Sequence, residues 1–295
     1  MIRLARTCAL LWWAGQLALV AAEQKSVVMI AGRPSHGPGE HEYNAGTLLL
    51  AKCLREGAGQ LVEVKVHLNS EWPSADELAH ADTIVLYTDG FTGNLALQAG
   101  HLAELAAQMK RGCGLLALHW SLEVPKEKGS AEFLEWLGGY CEPYWSVTVP
   151  RWTAQFAPPA HPITQGVQPF TLHDEWYFHM RFQDGRQGVT PILSTVPPLK
   201  TNLPDGLRSG NADARKQVLE QLPQHIAWAT ERADGGRGFG FTGGHTHKNW
   251  GNDDQRKLVL NAILWTAKAA IPPLGVQSKV TAEELLAHLD PKGKK

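Results

Sequence analysis

The chain has 295 residues, 43% of them hydrophobic and 19% charged, the composition of a folded protein with one sizeable core. Its 28 Lys and Arg against 29 Asp and Glu give a formal net charge of −1. That balance leaves no electrostatic reason to expect a nucleic-acid partner, which needs a concentrated basic surface.

The chain opens with "MIRLAR", which carries two arginines, followed by the apolar run "TCALLWWAGQLALV" and the small residues "VAA" ending at Ala22. This order is that of a signal peptide, so residues 1–22 are expected to be removed and the protein exported, periplasmic or extracellular, with a mature start near Glu23. A retained anchor is the competing reading, against which the run falls short of the ~20 apolar residues of a membrane span. No later segment is apolar enough to cross a bilayer. Cleavage removes Cys8 and leaves Cys53, Cys113 and Cys141, an odd number without metal-binding or redox spacing. Cys53 and Cys113 lie in apolar stretches and read as buried structural thiols.

"SVVMIAG" (26–32) is a short β-branched strand ended by glycine, and "AGTLLLAKCLRE" has helical spacing. "LVEVKVHL" (61–68) and "TIVLYTD" (83–89) are the next strands. "LALQAGHLAELAAQMKRG" (95–112) predicts an amphipathic helix, and "GLLALHW" (114–120) a fully apolar fourth strand. Strands apolar on both faces and alternating with helices predict an α/β fold, a mostly parallel sheet covered by helices on both sides. From about residue 144 the character changes. "WSVTVPRWTAQFA" predicts an edge or antiparallel strand because of its internal Pro150, and strands follow at 190–196, 225–232 and 236–244. Residues 197–224 are a polar insertion, either a lid or a surface loop. A closing helix is predicted over 253–270, and residues 271–295 form a C-terminal extension with one helix in "TAEELLAHL".

In such a sheet, ligands bind beyond the carboxyl ends of the strands, where loops converge and helix N-termini point outward. The conspicuous polar residues fall there: His36 and His41 after the first strand, Asp89 after the third, His119 at the end of the fourth, Asp174 and Glu175 in "TLHDEWYF", and His245 and His247 after "GFTGG". Each also has an ordinary reading. His36 and His41 sit in a Gly/Pro loop where a solvated histidine is common, and Asp89 reads more naturally as a turn-former. His119 could be a satisfied core histidine, His173 and His179 could orient neighbours, and His247 could hold the last helix. Glu175 is flanked by Trp176 and Tyr177, which argues against free solvation. Together, imidazoles and a carboxylate suit a divalent zinc, iron, nickel or manganese ion held by residues drawn from His36, His41, His119, Glu175, His245 and His247. They equally suit metal-free acid/base chemistry through His119, Asp174, Glu175 and His245.

The segments "SHGPGEHEYNAG", "GLLALHWS", "HPITQGVQPFTLHDEWYF" and "GRGFGFTGGHTHKNW" occur in the order found in ThuA-like (trehalose-utilisation) proteins, which the chain resembles over residues 26–270. The resemblance implies a flavodoxin-like sheet of the class I glutamine amidotransferase type, with a nucleophile elbow. At the elbow of this chain stands His119 where the amidotransferases carry cysteine, so glutamine hydrolysis through a thioester is not expected. The resemblance further implies a small-molecule carbohydrate substrate, trehalose or an oxidised 3-keto glycoside, and a lyase or hydrolase reaction. A non-catalytic carbohydrate-binding protein is the alternative, and an amidase or peptidase a weaker third. Eleven tryptophans, among them Trp120, Trp145, Trp152, Trp176 and Trp250, would offer apolar faces to a sugar ring where they are not simply core.

Overall fold

The computed structural model describes residues 23–292. The predicted signal segment, 1–22, lies outside the described residues.

The N-terminal half alternates strand and helix: β1 (Lys25–Ala31), α1 (Tyr43–Ala58), β2 (Val62–His67), α2 (Ala75–His80), β3 (Thr83–Tyr87), α3 (His101–Lys110), β4 (Gly114–Leu118) and α4 (Ser130–Leu137). Short strands follow, β5 (Gly139–Tyr140), β6 (Arg151–Phe156), β7 (Phe170–Glu175) and β8 (Arg181–Phe182), then β9 (Val189–Thr195), α5 (Ala212–Leu219), β10 (Gln224–Glu231), β11 (Arg237–Phe241), α6 (Asp253–Thr266) and α7 (Ala282–Leu286). Seven strands form one sheet in the order β2-β1-β3-β4-β11-β10-β9. The first five are parallel, whereas β10 runs antiparallel to β11 and β9 antiparallel to β10. The parallel portion, with β1 between β2 and β3, has the strand order of flavodoxin-like sheets.

Both sheet faces are buried because side chains alternate along each strand. Val27 and Met29 of β1 pack with Leu50 and Leu54 of α1 and Leu260 and Leu264 of α6. Val28 and Ile30 point the other way, onto Leu78 of α2, Leu105 and Met109 of α3 and Phe133 of α4. Two antiparallel ribbons, β6 with β7 and β5 with β8, stand apart from the main sheet.

Several boundaries differ from the sequence expectation. The helix predicted over 95–112 begins at His101, and Leu95–Leu97 form only a single 3-10 turn. Ala99 and Gly100 take φ of +46° and +120°, which breaks the ladder before the amphipathic pattern resumes. The closing helix stops at Thr266, four residues short. α2 was not anticipated, although Ser74 and Glu77 form a capping box that the sequence spells out. The polar segment 197–224 contains α5, and the backbone N–H groups of Tyr144 and Thr148 donate to Leu207 (2.9 Å) and Arg208 (2.8 Å), pinning its loop. No described helix is long and apolar enough to cross a membrane. Cys53, Cys113 and Cys141 are free and buried.

Candidate metal centre

Beyond the carboxyl edge of the sheet, the loop after β1 and the loop after β11 are stitched together. The His41 N–H donates to the His245 carbonyl (3.0 Å), and the His247 N–H to that of Gly39 (2.9 Å). Asp174, at the end of β7, fixes the second loop: its oxygens accept the N–H groups of Gly244 and Thr246, each at 3.0 Å, and that of Glu175 at 3.0 Å. Gly244, at φ +112°, supplies the bend. The glycine pair 243–244 thus turns His245 inward, and Asp174, fully buried, acts on the loop backbone.

His119 directly follows β4 at φ +52°, and His36 and His41 adopt +62° and +46°. Three non-glycine residues in left-handed backbone at one site are strained positions that the surrounding fold must hold. The elbow inferred from "LHWS" is present, with the imidazole at its apex.

The rings converge. His41 Nε2 lies 3.1 Å from His119 Nε2 and 2.9 Å from His245 Nδ1, and Glu175 Oε1 lies 3.5 Å from His245 Nδ1. One donor atom from each of these four residues lies within 4.8 Å of the others. Donors around a tetrahedral ion with bonds of about 2.0–2.1 Å stand about 3.3 Å apart, so the spacing fits a first-row divalent metal. His36 is exposed at the rim, its ring centroid 3.7 Å from that of His41, and forms a second group with His41 and Asp89. His247 lies outside the cluster. Its Nε2–H donates to the Leu285 carbonyl (3.0 Å) in α7, so it ties the C-terminal extension to the loop.

Hydrogen bonds set the tautomers. His119 Nδ1–H donates to the Thr242 carbonyl (2.7 Å), which leaves Nε2 as a lone pair directed at the centre. Tyr43 has a single hydroxyl proton and the Asp89 carboxylate is its stronger acceptor (2.8 Å). The phenol oxygen therefore accepts from His41 Nδ1 at 2.7 Å, and His41 Nε2 also offers a lone pair. This Asp89–Tyr43–His41 chain fixes the tautomer and orientation of the His41 ring, as carboxylate-linked partners do for histidines that ligate metals. His245 differs: Arg151 Nη2 donates to its Nε2 at 2.8 Å, so the proton is on Nδ1 and points to His41. A metal at Nδ1 would require the opposite tautomer, with the proton on Nε2, 3.7 Å from Glu40 Oε2, and the half-exposed Arg151 side chain displaced from its present hydrogen bond. Tyr177 completes the wall, its hydroxyl 3.1 Å from His119 Nε2.

Burial dominates the electrostatics. It pushes His41 and His119 well below the usual histidine range, reinforced by neighbouring imidazoles, and lowers His245 to about 4 with help from Arg151. All three are neutral, the form that ligates metal. Burial lifts the Glu175 carboxyl to about 8, and Arg151 only partly opposes it. Asp174 is raised for the same reason, opposed by its backbone donors.

The sequence reading took Asp89 for a turn-former and overlooked Tyr43, Arg151 and Tyr177. It also missed Lys292, whose ammonium donates to the carbonyls of Glu40 and His41 and pairs with Glu42 (3.2 Å) and Asp290 (3.7 Å), all nearly buried. The C-terminal extension thereby braces the His41 loop. Trp152, Trp176 and Trp250 are core, whereas half-buried Trp120 lies 5.2 Å from His36 and 5.4 Å from His41. Arg208, from the polar segment, stacks 4.7 Å over Trp120 and faces buried Glu123 at 3.8 Å.

A family model described as ThuA, trehalose utilisation, matches residues 26–266. No curated protein matches the chain. Among solved structures, a putative ThuA-like protein from Bacteroides uniformis is 16% identical, with a TM-score of 0.57 over 82% of this chain and 91% of that one. A putative GMP synthase component from Thermoplasma acidophilum is 12% identical, with a TM-score of 0.43 over 83% and 96%. At these identities the first likeness shows a shared fold.

Proposed function

The chain belongs to the ThuA, trehalose-utilisation, family, and from the chemistry of its four-residue cluster we propose that it is a metal-assisted enzyme cleaving modified glycosides of the 3-keto type. The observation that carries this reading is the convergence of three neutral imidazoles and a carboxylate at the carboxyl edge of the sheet. His41, His119 and His245 would hold the ion, the three-ligand arrangement that leaves a catalytic metal an open position. A divalent ion there supplies Lewis acidity toward a carbonyl oxygen.

The remaining steps belong to the chain's own groups. A ketone at C3 acidifies the C2 proton, and Glu175, whose carboxylate burial makes a stronger base than an ordinary one, removes it in its ionised form. The C2–H electron pair becomes the C2–C3 double bond of an enolate. As the ketone reforms, the pair shifts to C1–C2 and the C1–O bond breaks. The glycosidic oxygen departs with the proton returned by Glu175. Trp120 gives the ring an apolar face, and Asp174 keeps His245 in place through the loop backbone. Export, with cleavage after Ala22, is part of the same proposal and rests on the N-terminal pattern.

The test is metal analysis together with turnover of trehalose and of 3-keto-trehalose. The reading expects about one divalent ion per chain, cleavage of the keto sugar alone, and a Glu175→Gln variant that keeps its metal while losing ~10²-fold or more in rate. Absence of both metal and cleavage contradicts it. A metal-loaded chain that binds the sugar without turnover favours a carbohydrate-binding protein instead.

A further inference from the structure

A second cavity, of about 460 Å³, opens beside the metal centre, lined by Arg33, Ser70, Asp89, Thr92, Gln98 and His101 among others. Its walls are the loops that follow β1, β2 and β3. Because β1 connects outward to β2 on one side and lies against β3 on the other, this is the point where the strand order reverses, the crevice in which open α/β sheets take ligands. The volume falls within the ~300–1,000 Å³ of small-molecule sites.

The lining selects the ligand. Arg33 makes no hydrogen bond or ion pair with the described residues and brings five donors. Asp89 uses Oδ1 for the hydroxyls of Ser35 (2.6 Å) and Tyr43 (2.8 Å), while Oδ2, on a side chain 30% exposed, accepts no hydrogen bond from the described residues. His101 Nδ1–H donates to the Leu95 carbonyl (2.8 Å), which leaves its Nε2 as an acceptor, and Gln98 spends its amide N–H groups on the carbonyls of Thr92 and Asn94. Thr92 and Ser70 add hydroxyls. An anion would gain Arg33 but meet the Asp89 carboxylate in the same cavity, and an apolar ligand would strand these polar groups. A neutral molecule rich in hydroxyls satisfies donors and acceptors together.

We infer that this cavity is a sugar subsite, which binds the unoxidised ring of the glycoside while the keto ring is at the metal centre. This rests on the function proposed above for the role of the ring, but not for the chemistry of the cavity. Asp89 belongs to both places: Oδ1 fixes Tyr43 and through it His41, and Oδ2 accepts sugar hydroxyls.

Calorimetric titration of the full chain with trehalose and, separately, with inorganic phosphate tests the inference, using the wild type and the variants Thr92→Trp, which fills the cavity, Arg33→Ala, which removes its cation, and His119→Ala, which breaks the centre. Thr92 and Arg33 are exposed, so both variants should fold, and metal content reports whether the centre is intact. Trehalose is expected to bind the wild type, to bind Thr92→Trp and Arg33→Ala at least tenfold more weakly with metal content unchanged, and to bind His119→Ala within threefold of wild type. Phosphate is expected not to compete. Absence of trehalose binding to the wild type, equal binding by both cavity variants, or displacement by phosphate overturns the inference. Trehalose binding of the expected pattern without turnover of 3-keto-trehalose would sink the catalytic reading and leave the subsite standing.

Discussion

Replacing Tyr43 by Phe removes one oxygen from a fully buried side chain and changes almost nothing else. That oxygen lies 2.7 Å from His41 Nδ1 and 2.8 Å from Asp89 Oδ1. Without it, the nearest acceptors for His41 Nδ1–H are Ser35 Oγ at 3.5 Å and Asp89 Oδ1 at 3.9 Å, both too far for a sound hydrogen bond. Leaving a buried donor unsatisfied costs about 1–3 kcal/mol. Loss of the group that orients a ligating histidine lowers metal affinity ~10–100-fold, equivalent to about 1.4–2.8 kcal/mol, so the two routes agree. Competition with a chromogenic chelator for zinc measures the change, and circular dichroism confirms that the variant is folded. A folded Tyr43→Phe protein that binds zinc within twofold of wild type would refute the idea that Tyr43 holds His41 in its ligating orientation.

Other outcomes follow from the same geometry. Lys292→Met leaves Glu42 and Asp290 as buried carboxylates without their cation, a loss of about 3–5 kcal/mol; thermal melting should fall by several degrees and zinc affinity with it, Lys292→Arg should recover part of both, and an unchanged melt contradicts the brace. Burial pushes the Cys113 thiol up to about 12 and raises Cys53 and Cys141 too, so native alkylation near pH 8 should label none of them and spare activity, whereas loss of turnover on labelling a folded chain would implicate a thiol. Intact-mass measurement of protein recovered from its natural host should show a start near Glu23, and a retained Met1 argues against export.

The fold was largely legible because its strands are apolar on both faces: "SVVMIAG", "TIVLYTD" and "GLLALHW" can be stable only inside a covered sheet. Strand ends then located His41, His119 and His245 on one edge, and the glycine pair pointed to the turn that brings His245 inward. What pattern cannot carry is hydrogen-bond direction. Asp89 in "YTDG" looks like any turn aspartate until Tyr43, 46 positions away, donates to it. Asp174 and Glu175 are adjacent in "HDEW", yet strand alternation sends one carboxylate to the loop backbone and the other toward the rings. His245 and His247 share a motif, but the 3-10 turn His247–Gly251 begins between their roles and carries His247 away to α7. Lys292 was invisible for another reason: a basic C-terminal tail reads as solvated charge, and only the folded chain reveals buried Glu42 opposite it.

The proposed function stands or falls with whether His41, His119, His245 and Glu175 surround one divalent ion. Crystals of the mature chain grown with zinc, with anomalous diffraction recorded on both sides of the zinc absorption edge, test it most directly. A single strong anomalous peak is expected about 2.0–2.2 Å from His41 Nε2, His119 Nε2 and His245 Nδ1, with the Glu175 carboxylate beside it. A fully ordered site with no peak among these atoms, or zinc held elsewhere on the chain while the imidazoles keep their hydrogen bonds to one another, would contradict it.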